Sequence, residues 1–345
     1  MKEVFISAKN TREIIEQIQQ SIGGEIIDSF GKSRLVINNN VAKGTIRVVT
    51  FDWGVNLMIF NITFYDEITL KIKATEFNPV RFIYNLKGEF YHRFGINSHE
   101  EMVEQFQTLI TTNKIDGFDY LKFKKDLELD INIIQIIRKD FLKKRTTKVS
   151  SLNKKLQNVF VDTDYENRFA HYGALNLKMA NLVKRLHNVK AKGMVKILKM
   201  EAKVYDILSL HIQDYNKQSQ GVALPTSLVK SELKRIRQLG NKILKDPSRD
   251  YNLDDLSAEC GLSQAKLQDG FKFLFTRTVT EYIRHVRLES ARELMRTTDL
   301  NISQIVYSIG FTSRSYFSKI FKEKYGVTPN QFKKEMVSKV SEDAI

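Results

Sequence analysis

The stretch NISQIVYSIGFTSRSYFSKIFKEKYGVTPNQF, residues 301–332, restates NLDDLSAECGLSQAKLQDGFKFLFTRTVTEY, residues 252–282. Nine steps separate Asn252 from Gly261, and nine separate Asn301 from Gly310. From Phe271-Lys272 and Phe321-Lys322 onward the offsets agree again, through Phe275 and Tyr325, Thr278 and Thr328, to Tyr282 and Phe332; the second copy carries one extra residue between Gly and Phe. Each copy reads as a short helix, a Gly-containing turn and a second helix, the helix-turn-helix pattern. Asn252 and Asn301 can cap the first helices, with Asp255 and Gln304 three residues on as in a capping box. Gly261 and Gly310 supply the left-handed backbone that ends those helices and turns the chain. A repeated helix-turn-helix in a basic chain points to DNA.

In each copy the second helix is expected to lie in the major groove with its N-terminal residues at the base edges. Spacing buries Leu267 and Phe271 in the first, and Phe317, Ile320 and Phe321 in the second. That leaves Ser263, Gln264, Lys266 and Gln268 outward in the first, and Ser313, Arg314, Ser315, Tyr316 and Lys319 in the second. Arg or Lys pairs with guanine, Gln with adenine and hydroxyls with either, so these chemistries fit base reading. Lys272 and Lys322 follow the buried phenylalanines and complete the DNA-facing set, Lys322 towards phosphate or solvent. Val279 to Met295, with Tyr282, Ile283, Val286, Ala291 and Leu294 inward, reads as one helix holding two reading heads at fixed separation.

Residues 231–334 resemble the C-terminal domain of AraC/XylS-family transcription regulators. The resemblance is carried by Leu256, Ala258, Gly261-Leu262-Ser263, Leu267, Phe271-Lys272, Tyr282-Ile283, Arg287-Leu288, Ala291, Leu294 and Ile302. It continues through Ile305, Gly310-Phe311, Ser313, Phe317, Phe321-Lys322, Gly326, Thr328-Pro329 and Phe332. Ala265 and Asp269 depart from the aromatic and basic residues that members often place in the first recognition helix. Thr276 replaces the glycine usual after that helix, whereas Gly326 keeps it in the second, so the second copy is expected to contribute more of the base contacts. The resemblance implies a sequence-specific regulator, by habit an activator. It also implies an N-terminal cupin-like β-barrel that takes a small-molecule effector, dimerising helices, and RNA polymerase as a further partner.

Composition sets the outer bounds. The formal net charge of +15 over 345 residues favours a polyanionic partner. From Ser231 onward, 20 Lys+Arg against 15 Asp+Glu leave a net of only +5, so most of the excess lies upstream, including Lys143-Lys144-Arg145, Lys154-Lys155 and Lys184-Arg185. Such clusters are more often solvated faces than nucleic-acid contacts. Cys260 is the one cysteine, which excludes an intrachain disulfide and a cysteine-built zinc site. It reads as a small buried residue packing the motif. No apolar run approaches a membrane span and no h-region follows Met1, so a cytoplasmic location without membrane is expected.

Upstream, a helix around Thr11–Ile22 and a Gly23-Gly24 turn give way to β-branched and aromatic runs at 47–51, 57–64, 68–72 and 80–86. Turn signals at 52–54, 66–67, 78–79 and 87–89 bound them, and a further strand-like run spans 127–137. Strands at this spacing suggest an antiparallel sandwich or barrel. Trp53, Phe60, Phe64, Phe82, Tyr84 and Tyr91 offer enough aromatic surface to line a ligand pocket or simply to fill a small barrel. From Tyr165 the pattern turns helical, with Phe169, Tyr172, Met179, Val183 and Leu186 on one stripe. Met194, Ile197, Leu198, Tyr205, Leu208, Ile212 and Tyr215 form another. Val195, Met200, Ile207 and Leu210 widen that second surface beyond one face, which suggests a homodimer contact or cover from within the chain. Asn216–Ser227 reads as a linker, and a helix runs from Leu228 to Asp246-Pro247.

The fold class expected is α+β: a cupin-like antiparallel β-barrel over residues 1–140, a helical linker and dimerisation segment over 141–227, and an all-α domain with two helix-turn-helix motifs over 228–336. No catalytic residue, metal ligand or cofactor is expected. No phosphate loop, paired-His helix motif or nucleophile elbow occurs. His92 and His99 with Glu89 nearby are a weak metal set, better read as surface or core histidines. His171, His187 and His211 are placed on helices, and His285 on the connecting helix. Three rival readings remain: a metal-dependent cupin enzyme localised by the DNA-binding domain, a methyltransferase of the Ada type, and a non-specific architectural protein. The second needs a zinc-bound reactive cysteine outside the motif.

Overall fold

Residues 55–64 and 128–136 are buried at nearly every position because the sheet they form is covered on both faces. The computed structural model describes residues 2–29, 31–219, 228–275 and 277–333, the side chains of 145–148 and 230 excepted. The Arg145 side chain, most of the expected linker (220–227), Thr276 and Lys334 therefore lie outside the described residues. The chain divides into two compact units, Met1–Val222 and Ala223–Ile345.

In the first unit, β5 (Val55–Phe64) and β12 (Glu128–Ile136) pair antiparallel at the centre of an eight-stranded sheet. On one side follow β4 (Ala42–Thr50), β3 (Lys32–Asn38) and β2 (Glu25–Ser29). On the other follow β7 (Val80–Lys87), β10 (Thr108–Thr112) and β13 (Phe169–Tyr172). A five-stranded sheet runs in the order β1 (Lys2–Ile6), β6 (Ile68–Lys73), β11 (Phe118–Phe123), β8 (Phe90–Phe94), β9 (Glu101–Val103). Its β1–β6 pair is parallel and its other pairs are antiparallel. The expected barrel is thus two facing open sheets: β2 and β13 end one, β1 and β9 end the other.

The period of two sorts side chains between two cores. Met58, Phe60, Ile62 and Phe64 point between the sheets, where they meet Leu121, Phe123 and Phe90, with α1 (Thr11–Ile22) closing one side through Ile14, Ile15 and Ile18. Leu57 and Ile59 point the other way, onto α2 (Arg138–Val149), α3 (Lys154–Val161), α4 (Leu177–His187) and α5 (Gly193–Ser219). Rings of Phe60, Phe64 and Phe90 lie within 5.5–6.1 Å of Phe123 and fill the inter-sheet space. Of the aromatics considered as a pocket lining, Phe82 and Tyr84 face the helices. Trp53 is exposed beneath Lys144, and Tyr91 sits by Lys122 and Lys124, so the six do not converge.

Two helical assignments change. Phe169 and Tyr172 belong to an edge strand paired with β10, as does His171; four residues of strand are too few for their alternation to stand out from a helical stripe. On α5 the inward face is Met200, Val204, Ile207, Leu208, His211 and Tyr215, while Met194 and Leu198 of the expected stripe, and Val195 beside it, are exposed.

A polar network is buried at one end of the inter-sheet core. Arg81 Nη1 donates to Asp119 Oδ2 at 3.2 Å, and Asn113 Nδ2 donates to Asp119 Oδ1 at 3.2 Å. His92 Nδ1 lies 2.6 Å from the Tyr172 hydroxyl, and its Nε2 lies 3.6 Å from Asp119. His99 instead lies beside Glu101, and Glu89 pairs with Lys124, so the three groups weighed as a metal set have separate partners. Among the described residues no helix is long and apolar enough to cross a membrane, and no group of three or more His, Cys, Asp or Glu is placed to hold a metal ion.

Candidate nucleic-acid interface

The second unit opens with α6 (Lys230–Lys245), whose Leu233, Ile236, Leu239 and Ile243 are buried. The first copy of the repeat is α7 (Leu253–Cys260) and α8 (Gln264–Phe275); the second is α10 (Ile302–Ser308) and α11 (Arg314–Tyr325). Between them runs α9 (Val279–Thr297), unbroken for 19 residues. Asn252 and Asn301 cap as expected: each side chain accepts from the backbone N–H three residues on, and Gln304 returns a bond to the Asn301 N–H at 2.8 Å. Gly261 ends α7 in the left-handed region, with φ 59° and ψ 41°. Gly310 follows α10 with φ 82°, and a β-carbon there would sit 2.5 Å from the Ser248 carbonyl oxygen.

Both copies are held by the same aromatic triad. Phe271, Phe275 and Tyr282 pack tilted or edge-on with ring separations of 4.2–5.4 Å. Phe321, Tyr325 and Phe332 do the same at 4.5–6.4 Å. Leu267, Phe271, Phe317, Ile320 and Phe321 are all buried, as their spacing requires, and Cys260 is buried with its thiol pushed up by burial. Burying an aromatic or branched side chain of this size stabilises by roughly 1.5–3 kcal/mol. The triads therefore fix the angle at which each recognition helix leaves the body of the unit.

The outward faces of the two recognition helices differ. On α11, Ser313 accepts from the Tyr316 N–H at 3.2 Å and caps the helix, while Arg314, Ser315, Tyr316, Lys319 and Lys322 are exposed. Arg314 Nη1 donates to Ser303 Oγ at 3.2 Å, a surface contact that a base edge or phosphate could replace. On α8, Ser263 and Gln264 are exposed, Gln264 donating to Asp254, and Lys272 is exposed. Lys266 and Gln268 are not free. Lys266 Nζ donates to Glu232 Oε1 at 2.7 Å, which helps hold that carboxyl below its ordinary range. Gln268 Oε1 accepts from the Val279 N–H at 3.0 Å, at the first turn of α9. The spacing that put Gln268 outward was correct for the helix, but it could not show that α9 begins beside it.

The structure adds residues that the sequence reading passed over. Arg284 projects from α9 and lines clefts on both its sides. One of these, about 280 Å³, brings Thr280, Arg284 and Thr312 beside Ser313 and Tyr316 of the second copy. The signal was available, since Arg284 follows buried Tyr282 and Ile283 on the opposite face of the helix. Arg287 has the structural task of donating to the Pro247 and Arg249 carbonyls at 2.9 Å each, with its guanidinium over Phe311.

Residues 256–335 match the family model described as a helix-turn-helix domain. Within the C-terminal unit this matched segment is an AraC-type helix-turn-helix domain. The chain is 30% identical over 129 residues to the HTH-type transcriptional regulator MtrA of Neisseria gonorrhoeae, covering 37% of this chain and 43% of that protein. It is 30% identical over 176 residues to the transcriptional activator PerA of Escherichia coli O127:H6, covering 50% of this chain and 59% of that one. Among solved structures it is similar to the C-terminal domain of the two-component response regulator yesN from Fusobacterium nucleatum, at 30% identity and a TM-score of 0.27, covering 28% of this chain and 96% of the other. The chain spans less than two thirds of the length of either curated relative. α6 lies outside the matched residues, yet Lys266 of the AraC-type domain is bonded to it, and the Tyr282 hydroxyl donates to its Gly240 carbonyl at 3.3 Å.

Proposed function

We propose that the protein is a sequence-specific DNA-binding transcription regulator whose helices α8 and α11 enter two successive major-groove segments. The observation that carries this reading is the pair of helix-turn-helix copies with matching caps and aromatic triads, joined by the single helix α9. A continuous helix fixes the separation of the two reading heads, and a groove-reading unit needs that to meet one face of the duplex. α11 presents Arg314, Ser315, Tyr316 and Lys319 for base edges, with Lys322 and Arg284 towards phosphate. α8 contributes Ser263, Gln264 and Lys272, fewer exposed groups suited to bases than α11, so the second copy dominates discrimination.

Activation, by contact with RNA polymerase, is the sense of regulation in this reading, and the location is cytoplasmic. The exposed Met194, Val195 and Leu198 at the start of α5 supply an apolar surface for a homodimer, and the first unit takes a small-molecule effector. No catalytic step is assigned to the chain. Selection of bound duplexes from a random pool tests the reading. Enrichment of two short conserved segments about one helical turn apart (roughly 10 base pairs) is expected. Recovery of sequences without any shared segment would instead favour a non-specific architectural protein.

A further inference from the structure

The helix-covered face of the eight-stranded sheet is not sealed along its whole width. Where the C-terminal end of α4 and the first turns of α5 cross strands β2 to β5, a cavity of about 320 Å³ opens between them. Its floor is apolar: Val49 and Ile59 of the sheet, with Leu186 and Met200 from the helices, all buried. Its walls are cationic, with Lys32 and Arg34 entering from β3, Arg47 from β4 and Lys196 from α5. No Asp or Glu occurs among the described residues that line it.

No ion pair among the described residues answers these cations, and the Arg47 Nε is buried without a hydrogen-bond partner. Asp130 acts on Arg47 through its charge without pairing with it, and is shared with other groups: Asn132 Nδ2 donates to it at 2.9 Å and His187 Nδ1 lies 3.5 Å away. Burial, then the neighbouring Lys196, holds the Lys32 ammonium below its ordinary value. Gathering like charges over an apolar floor costs stability in the empty protein, and a bound anion removes that cost. Guanidinium and ammonium groups together suit carboxylate or phosphate oxygens. The volume falls at the small end of ligand pockets.

We propose that this cavity binds a small amphipathic organic anion, a carboxylate or phosphate ester with a compact apolar body, head group among Lys32, Arg47 and Lys196 and body on Ile59 and Met200. The site lies on the helix side of the sheet, outside the ring-filled space between the two sheets. It deepens the effector part of the proposed function, and ligand binding can be measured without DNA.

The test uses the full chain and two dyes that share an apolar body, anionic 1-anilinonaphthalene-8-sulfonate and neutral N-phenyl-1-naphthylamine. The anionic dye should bind saturably at one site. The Lys32→Gln/Lys196→Gln double variant should weaken it at least tenfold, while Lys32→Arg/Lys196→Arg retains it. Binding of the neutral dye should be the same in all three proteins. Removing two lysines that repel each other should not lower the melting temperature, so loss of dye cannot be assigned to unfolding. Displacement by hexanoate or by hexyl phosphate identifies the head group, and either supports the site. Equal binding of the anionic dye by wild type and Gln variant, or displacement by hexanol as effective as by the anions, would overturn it. DNA titrations on the same preparations report on the second unit alone, so failure of the cavity and failure of the DNA reading are told apart.

Discussion

Gln268 separates a fold-holding role from a base-reading one, and two substitutions at that position decide between them. Its side-chain carbonyl accepts the N–H of Val279 at 3.0 Å, where α9 starts and where Val279 itself is buried. Gln268→Ala leaves that N–H without a partner, a loss of about 1–2 kcal/mol for a buried donor. In a domain of about 100 residues this lowers the melting temperature by roughly 5–10 °C. Gln268→Glu keeps an acceptor in place and puts a negative charge at a helix N-terminus, so it should stay within about 0.5 kcal/mol of wild type. Thermal denaturation followed by circular dichroism gives the stabilities, and titration against single-base variants of a selected operator gives the discrimination. Gln268→Ala should weaken binding evenly across the variants through its effect on folding. A variant with unchanged melting temperature that has lost discrimination at one base pair would refute the structural assignment. A shift of preference from adenine to cytosine in Gln268→Glu would refute it as well.

Asp119→Ala strips the buried Arg81 of its counter-ion and should cost about 3–5 kcal/mol, read as a lower denaturant midpoint; a loss under 1 kcal/mol would mean the pair is solvated. His211 is buried without a hydrogen-bond partner and burial pulls its pKa down to about 3. The unfolded chain therefore takes up a proton below its ordinary pKa near 6.5 while the folded chain does not, and stability falls as pH drops from about 6.5 towards 3. The loss at pH 5 is about 2 kcal/mol. His211→Phe should flatten that part of the stability–pH curve, and an unchanged curve would count against it. Gly310→Ala forces a β-carbon into a left-handed backbone against the Ser248 carbonyl, and should destabilise the second unit by about 1–3 kcal/mol, measured by melting.

The C-terminal unit was legible in the sequence because its signals are local and doubled. Caps, turn glycines and aromatic spacing each occur twice, and the side chains expected inside the two copies and α9 are buried, Leu294 only partly. What spacing could not supply was the partner of an outward group: Lys266 meets Glu232 from a helix 34 positions earlier, and Gln268 meets the start of the next helix. In the first unit the runs that became β4 to β7 and β12 could be read, but the shorter strands and the closure of the sheets could not. Runs such as 57–64 are consistent with a barrel wall or with a sheet covered on both faces, and only the strand order distinguishes them. Within the helical segment expected over 141–227, α2 and α3 were not singled out, because the first is mostly charged and the second is only eight residues long. The cationic cavity was invisible for a similar reason, since Lys32 and Lys196 lie 164 positions apart in the chain.

The central claim is that α11 reads bases, and Arg314 is where it is most exposed to test. The full chain, Arg314→Ala and Lys322→Ala are titrated against a selected operator and its single-base variants at two salt concentrations. Arg314→Ala should lose about 1–3 kcal/mol of discrimination at one base pair and leave the other positions as they were. Lys322→Ala should weaken every duplex alike and reduce the salt slope by about one. Equal losses by Arg314→Ala on every variant would contradict the account and leave Arg314 a backbone contact.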